Sequence, residues 1–377
     1  MVNKQRMIDE FMELVQVDSE TGDEAAISKV LMQKFTQLGL DVLEDDTAEK
    51  TGFGAGNLII NIKATEGLEK LPALLFTCHM DTVTPGKGIK PQLGSDGYIR
   101  SDGTTILGSD DKAGIAALLE AVRILQEQKI AHGAIQLVIT VGEETGLVGA
   151  KALDPALLQA EMGFALDSNG EIGEIAVAAP TQAQIVVNIH GKSAHAGVNP
   201  EDGISAIQIA AKAIAKMPLG RIDEETTANI GKLIGGGPTN IVCDYIQIEA
   251  EARSIQQHKL NEQVEKMRLA VEEAVQECGG KAEFISDLAY PSFHFSDGDA
   301  VVEVAKQAVA KLGREAKLFH SGGGSDANVF NGLGVPTINL AVGYEHIHTT
   351  EERIKVDNLV LTAELVVEII KQPVDAN

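Results

Sequence analysis

Positive charge is scarce in this chain: 31 Lys and Arg face 55 Asp and Glu in 377 residues, a formal net charge of −24. A surface of that sign repels polyanions and anionic lipid, which argues against nucleic acid and membranes as partners. Cysteine is scarcer still. Cys78, Cys243 and Cys278 are odd in number, far apart and in no CxxC pair, which excludes a disulfide framework and a thiolate zinc site and leaves nitrogen and oxygen donors for any metal. Long apolar runs are missing too. The opening MVNKQRMIDEFMELVQ mixes charges with helically spaced apolar residues, unlike a secretory signal or a membrane span, so the expected location is cytoplasmic. There is no GxGxxG after the first strands and no GxSxG elbow, and HGKS has the tail of a P-loop with Val186 where the first glycine belongs. No internal repeat or low-complexity tract occurs.

What the chain does contain is material for a large core, with 44% apolar residues and a length that favours two domains. The short apolar runs PALLF, AIQLVITV, GFALD and PTINLAV alternate with helical-period segments such as KAGIAALLEAVRILQEQK at 112–129. That is the pattern of an α/β domain with a helix-covered, mostly parallel sheet. From about residue 180 the texture changes. QAQIVVNIH and YIQIEAEAR alternate apolar and polar positions, as strands with one wet face do, and helical segments follow at 203–216 and 259–277. The expectation is an inserted α+β domain, 179–292, between two parts of a discontinuous first domain, 1–178 and 293–377.

Ligands of open α/β sheets bind beyond the carboxyl ends of the strands, and polar residues collect there. PALLF leads to His79 and Asp81, LVITVGEE to Glu143 and Glu144, GFALD ends on Asp167, and INLAVGYEHIH leads to His346 and His348. LGSDDKAG places Asp110 and Asp111 at the start of a helix. Each has an ordinary explanation by itself: Ser109, Asp110 and Asp111 read as an N-cap with first-turn acids, and Glu143 and Glu144 as a solvated loop. Their coincidence does not, because several carboxylates gathered without a cation repel one another strongly. Two histidines with carboxylates and no cysteine suit zinc, with manganese and cobalt as alternatives. Three ligand carboxylates against two divalent ions leave an excess of about one positive charge, a setting that holds hydroxide, with one acid shared between the ions.

Taken in order, His79-x-Asp81, GSDDKAG, GEETG, ALDSNG, GKSAHAG and HIHTTEE resemble the family of two-metal exopeptidases that includes peptidase T, carboxypeptidase G, aminoacylase and succinyl-diaminopimelate desuccinylase. The resemblance runs from SETGDE near the N-terminus almost to the C-terminus. TCHMDTV, GSDDKAG and the aspartate of ALDSNG are most similar to the peptidase T branch, whose members are tripeptide aminopeptidases. The resemblance implies hydrolysis of amide bonds in short peptides by a metal-bridging hydroxide, with carboxypeptidase or N-acyl-amino-acid amidohydrolase activity as the alternative. It implies a ferredoxin-like dimerisation (lid) domain for the insertion, and a homodimer formed through it.

Roles follow the same motifs. By resemblance, His79 binds one metal together with Glu144 and is oriented by Asp81; Asp110 bridges; Asp167 and His348 hold the second metal; and Glu143 is the general base. His348 is preferred to His346 because it precedes TTEE. His195 of GKSAHAG reaches the oxyanion from the other subunit. Asn240 and Arg253 contact the substrate's carboxylate and backbone, and Gly323 of SGGGSDAN lets the backbone approach substrate closely. A catalytically dead relative would lack a base or a ligand; every expected position is filled. Thr21-x-x-Glu24 reads as a capping box, and His132, His258 and His294 as ordinary polar-context residues.

Overall fold

The computed structural model describes residues 1–375. They form two compact units, Met1–Ala178 with Phe295–Ser321 and the described chain from Ser325 onward, and Ala179–His294 with Gly322–Gly324.

The first unit is built on four parallel strands: β1 (Leu74–His79), β2 (Ile135–Thr140), β3 (Met162–Ser168) and β4 (Thr337–Ala341), in the spatial order β2-β1-β3-β4. β1 and β2 are buried at every position, which is why they read as continuous apolar runs and not as alternating ones: both faces are covered. Phe76 and Phe164 stack across β1 and β3 with ring centroids 5.5 Å apart. At the margins the sheet turns antiparallel, through Leu58–Ile62 beside β2 and Glu174–Ala179 beside β4. Helix α1 (Ser109–Gln128) packs against β1 and β3 and is covered in turn by the helices Lys4–Val15 and Val356–Asp375. Its small residues Ala113, Ala116 and Ala117 are fully buried. Asp110 and Asp111 depart from helical geometry (φ −83, ψ 104 and φ −118, ψ 29), so the regular helix begins after them, and the peptide joining them is cis.

Because β1, β2 and β3 run parallel, their carboxyl ends share one edge of the sheet, and the residues leaving them meet there. A small second sheet frames the same unit: the hairpin Tyr344–Glu345 and Arg353–Lys355 pairs with Tyr98–Arg100. Its loop carries His348 and Glu352.

The second unit runs strand Thr181–His190, helix Ala206–Lys216, strands Thr226–Gly235 and Tyr245–Ser254, helix Gln257–Cys278, strand Lys281–Tyr290. The long strands form one antiparallel sheet. Alternate residues of the first strand, Ile185, Val187 and Ile189, enter a core with Ile209, Met267 and Val271 from the helices; the period of two seen in the sequence is this one-sided burial. Leu233, Ile285 and Leu288 stay exposed. Among the described residues no helix is long and apolar enough to cross a membrane.

Candidate metal centre

His79 ends β1 with 2% of its surface exposed. Its Nδ1 lies 3.0 Å from the Asp81 carbonyl oxygen and 3.3 Å from Asp81 Oδ1. That contact turns Nε2 the other way, to 3.1 Å from Asp110 Oδ1 and 3.8 Å from Asp167 Oδ1. Asp81 is itself fully buried and well satisfied: Oδ1 accepts the Glu143 N–H at 3.0 Å, and Oδ2 accepts the Glu144 N–H at 3.3 Å and the Thr21 hydroxyl at 2.7 Å. Asp81 therefore sets the direction of the imidazole, through its carbonyl and its carboxylate, and the start of the Glu143–Glu144 loop, through the carboxylate. Burial pushes the Asp81 carboxyl up, but the bonds from His79, Thr21 and Glu143 outweigh it and hold the group below its ordinary value.

Asp110 is the meeting point. Its Oδ1 faces His79 Nε2 at 3.1 Å and its Oδ2 faces His348 Nε2 at 3.2 Å, while His348 Nε2 lies 2.9 Å from Glu144 Oε1. Asp167 Oδ1 also accepts the buried Tyr344 hydroxyl at 3.1 Å. The short contacts thus set His79, Asp110 and Asp167 on one side and His348, Asp110 and Glu144 on the other. The sequence expectation puts Glu144 with His79 and Asp167 with His348; ligand atoms of His79, Asp110 and Glu144 do lie within 4.8 Å of one another, while the short contact of Glu144 is with His348 at 2.9 Å. β1 lies between β2 and β3, so both acidic exits flank His79, and Asp81 aims its ring at Asp110 and Asp167. All belong to one crowd, since ligand atoms of His79, Asp110 and Glu144 lie within 4.8 Å of one another, as do those of His79, Asp111 and Asp167.

The electrostatics of this crowd are those of a site built around positive charge. Burial first, then the Asp110 and Glu144 carboxylates, raise Asp167 to about 7 against the pull of His79. Burial and the Asp167 charge push Asp111 and Glu143 well above their ordinary range. Hydrogen bonds to Asp110 and Glu144 raise His348 to about 10. Among the described residues no lysine or arginine forms an ion pair with Asp110, Glu144 or Asp167; their cationic partners are the imidazoles. Two like charges 4 Å apart repel by about 4 kcal/mol at an effective dielectric of 20, and Asp111 Oδ1 is buried without a hydrogen-bond partner. Imidazole nitrogens with several carboxylate oxygens make a donor set for borderline to hard divalent ions. The residues fit two such ions sharing Asp110. Burial, with the Asp111 carboxylate beside it, pushes the Cys78 thiol well above its ordinary value.

The other candidate residues fall in the second unit. His195 is exposed, and its Nδ1 accepts the Gly197 N–H at 3.2 Å. It bridges to Ile241, and the Ala196 N–H donates to the Asn240 carbonyl at 2.9 Å, which makes His195 and Asn240 neighbours. The Arg253 fork grips Glu251 at 2.9 and 3.0 Å. Gly323 has nothing within 4 Å of a built Cβ, whereas one at Gly324 would sit 2.3 Å from the Tyr290 ring.

Thr21 and Glu24 do not form the expected capping box. Glu24 is itself the N-cap of helix Ala25–Gln37 without a side-chain cap bond, and its Oε1 accepts the Gly22 N–H at 2.8 Å. Thr21 serves Asp81, 60 residues away in sequence, and a local pattern cannot announce such a partner. Sequence reasoning also passed over Tyr344 and Glu352, although both flank the quoted histidines. In SGGGSDAN it passed over a structural part: Ser325 closes a capping box on helix Asp326–Gly332, and buried Asp326 accepts the Thr140 hydroxyl at 2.5 Å at the end of β2.

Residues 75–372 match the model of peptidase family M20/M25/M40. Uncharacterized protein YqjE of Bacillus subtilis strain 168 is 59% identical over 372 residues, 99% of each chain. The crystal structure of aminopeptidase PepT from Bacillus cereus is 61% identical with a TM-score of 0.93, covering 99% of each chain. That of a tripeptidase from Staphylococcus aureus is 50% identical with a TM-score of 0.96, covering 100% of each chain.

Proposed function

The chain belongs to peptidase family M20/M25/M40, and from that premise we propose that it is a cytoplasmic tripeptide aminopeptidase that depends on two divalent cations, zinc in the first instance. The observation that carries the reading is the double contact of Asp110, 3.1 Å from one imidazole and 3.2 Å from another. A carboxylate presenting its two oxygens to two separate imidazoles is suited to serve as the shared ligand of a cation pair. His79 and Asp167 would complete one site, His348 and Glu144 the other. When bound, such ions supply Lewis acidity, polarising a carbonyl and bringing the pKa of a water from 15.7 toward about 7.

The protein's own groups do the rest. Asp81 keeps the His79 proton on Nδ1, so that Nε2 offers its lone pair to the centre. Glu143, whose N–H is tied to Asp81 and whose carboxyl is pushed up by burial and by Asp167, takes the proton of the attacking water and returns it to the leaving amine. His195 donates to the developing oxyanion. Arg253, with Asn240 beside the His195 segment, receives the substrate's carboxylate in its planar fork, Glu251 holding that fork in place beforehand; Gly323 lies against the substrate backbone. The strand-helix-strand-strand-helix-strand unit is read as ferredoxin-like and as the homodimer contact; Leu288, 62% exposed on its outer strand, supports a partner contact along that edge.

A panel of di-, tri- and N-acetylated tripeptides tests the activity. Free tripeptides should be cleaved to release the N-terminal residue, and acetylated ones left intact. Cleavage confined to the blocked peptides would contradict the aminopeptidase reading in favour of an amidohydrolase. In the same panel Arg253→Ala should raise KM for peptides with a free carboxyl terminus more than for their amides; equal effects on both would remove Arg253 from substrate binding.

A further inference from the structure

Asp110 has an unusual task for a residue outside regular structure. Its two oxygens must stand between two imidazoles, yet its own φ and ψ are −83 and 104, so the helix that follows does not hold it. What holds it is Glu352. The Glu352 carboxylate is 1% exposed. Its Oε2 accepts the N–H of Leu107 and of Gly108, each at 2.8 Å, and its Oε1 accepts the N–H of Ser109 at 2.7 Å, the Ser109 hydroxyl at 2.6 Å and the N–H of Asp110 at 3.1 Å. Four successive N–H groups point at one anion because Gly108, with φ 73, reverses the chain in their midst, the geometry of a backbone anion nest. Glycine takes that φ without the steric cost other residues bear.

Glu352 also stands four residues after His348, in the loop of the hairpin Tyr344–Glu345/Arg353–Lys355. One short segment thus brings the second imidazole and fastens the loop that carries the shared carboxylate. We infer that Glu352 is a positioning residue: it sets the Asp110 carboxylate between His79 and His348, and through Asp110 it governs the affinity of both cations at once. The inference rests on the two-cation reading above. A partner that orients a metal ligand is worth about 10- to 100-fold in metal affinity. Glutamine has the same shape but turns an NH2 toward two N–H donors, so it cannot replace the carboxylate.

The test is competition between a chelator and Co2+ on the metal-depleted protein at 25 °C, with the visible absorption of bound cobalt recorded alongside. The wild type should take up two ions. Glu352→Gln should weaken both by roughly 10- to 100-fold and change the absorption band. Ile369→Ala, a cavity in the last helix away from this loop, should lower the melting temperature and leave both affinities in place, which separates positioning from mere stability. A folded Glu352→Gln protein with wild-type affinities and spectrum would overturn the inference. Should that variant fail to fold, Ser109→Ala decides: loss of one of the five donors should weaken both ions several-fold, and unchanged binding would overturn the inference equally. A wild type that takes up no cobalt contradicts the two-cation reading itself, a different result from either.

Discussion

Replacing Glu143 with glutamine should leave the cations in place and lower kcat by about 10² to 10⁴, the range of general acid–base catalysis. At 1.36 kcal/mol per decade this is about 2.7 to 5.4 kcal/mol of transition-state stabilisation. Glutamine keeps the volume and the backbone N–H that Asp81 accepts at 3.0 Å, so the loop geometry survives while the capacity to take a proton is lost. The contacts that gather at Asp110 do not involve the Glu143 side chain, and metal content should therefore stay at the wild-type level. Steady-state kinetics on a free tripeptide, with metal analysis of the same preparation, checks both halves. Near-normal turnover in the variant would mean that Glu143 is not the base.

Asp110→Ala should be the most damaging single change for metal binding, because Asp110 alone is shared. Losing Glu144 or Asp167 takes a ligand from one side; losing Asp110 takes one from each, leaving His79 with Asp167 and His348 with Glu144. The loss per ion should exceed the roughly 10- to 100-fold expected when only an orienting partner is removed, and activity should fall to background. The carboxylates that remain then lose the cations that let them lie together, so the variant gains nothing from relieved crowding. Metal content after dialysis checks this, and a variant that retains two ions would show that Asp110 does not bridge.

Much of this is legible in the sequence. Strands buried on both faces announce themselves as unbroken apolar runs, and in a parallel arrangement their carboxyl ends must share an edge; that is why His79, Glu143, Glu144, Asp167 and the segment with His346 and His348 read as one group, while the role of Asp110 and the choice of His348 come from the family resemblance. The alternation in QAQIVVNIH likewise carried over to a strand with Ile185, Val187 and Ile189 buried. What sequence could not supply was which exits face each other once assembled. His79 stands between two acidic exits, and only the hydrogen bonds of Asp81 decide where its ring points. The same limit explains Thr21 and Glu352: Thr21 serves Asp81, and Glu352 meets residues more than 240 positions away, so neither has a local pattern to betray it. Thr21 fits a local capping motif, but its hydroxyl donates instead to the distant Asp81 carboxylate.

Anomalous diffraction from crystals grown with zinc tests the central claim most directly. Two peaks per chain should flank the Asp110 carboxylate, one beside His79 and Asp167, the other beside His348 and Glu144. A single peak, no peak, or these side chains standing apart from one another would contradict it.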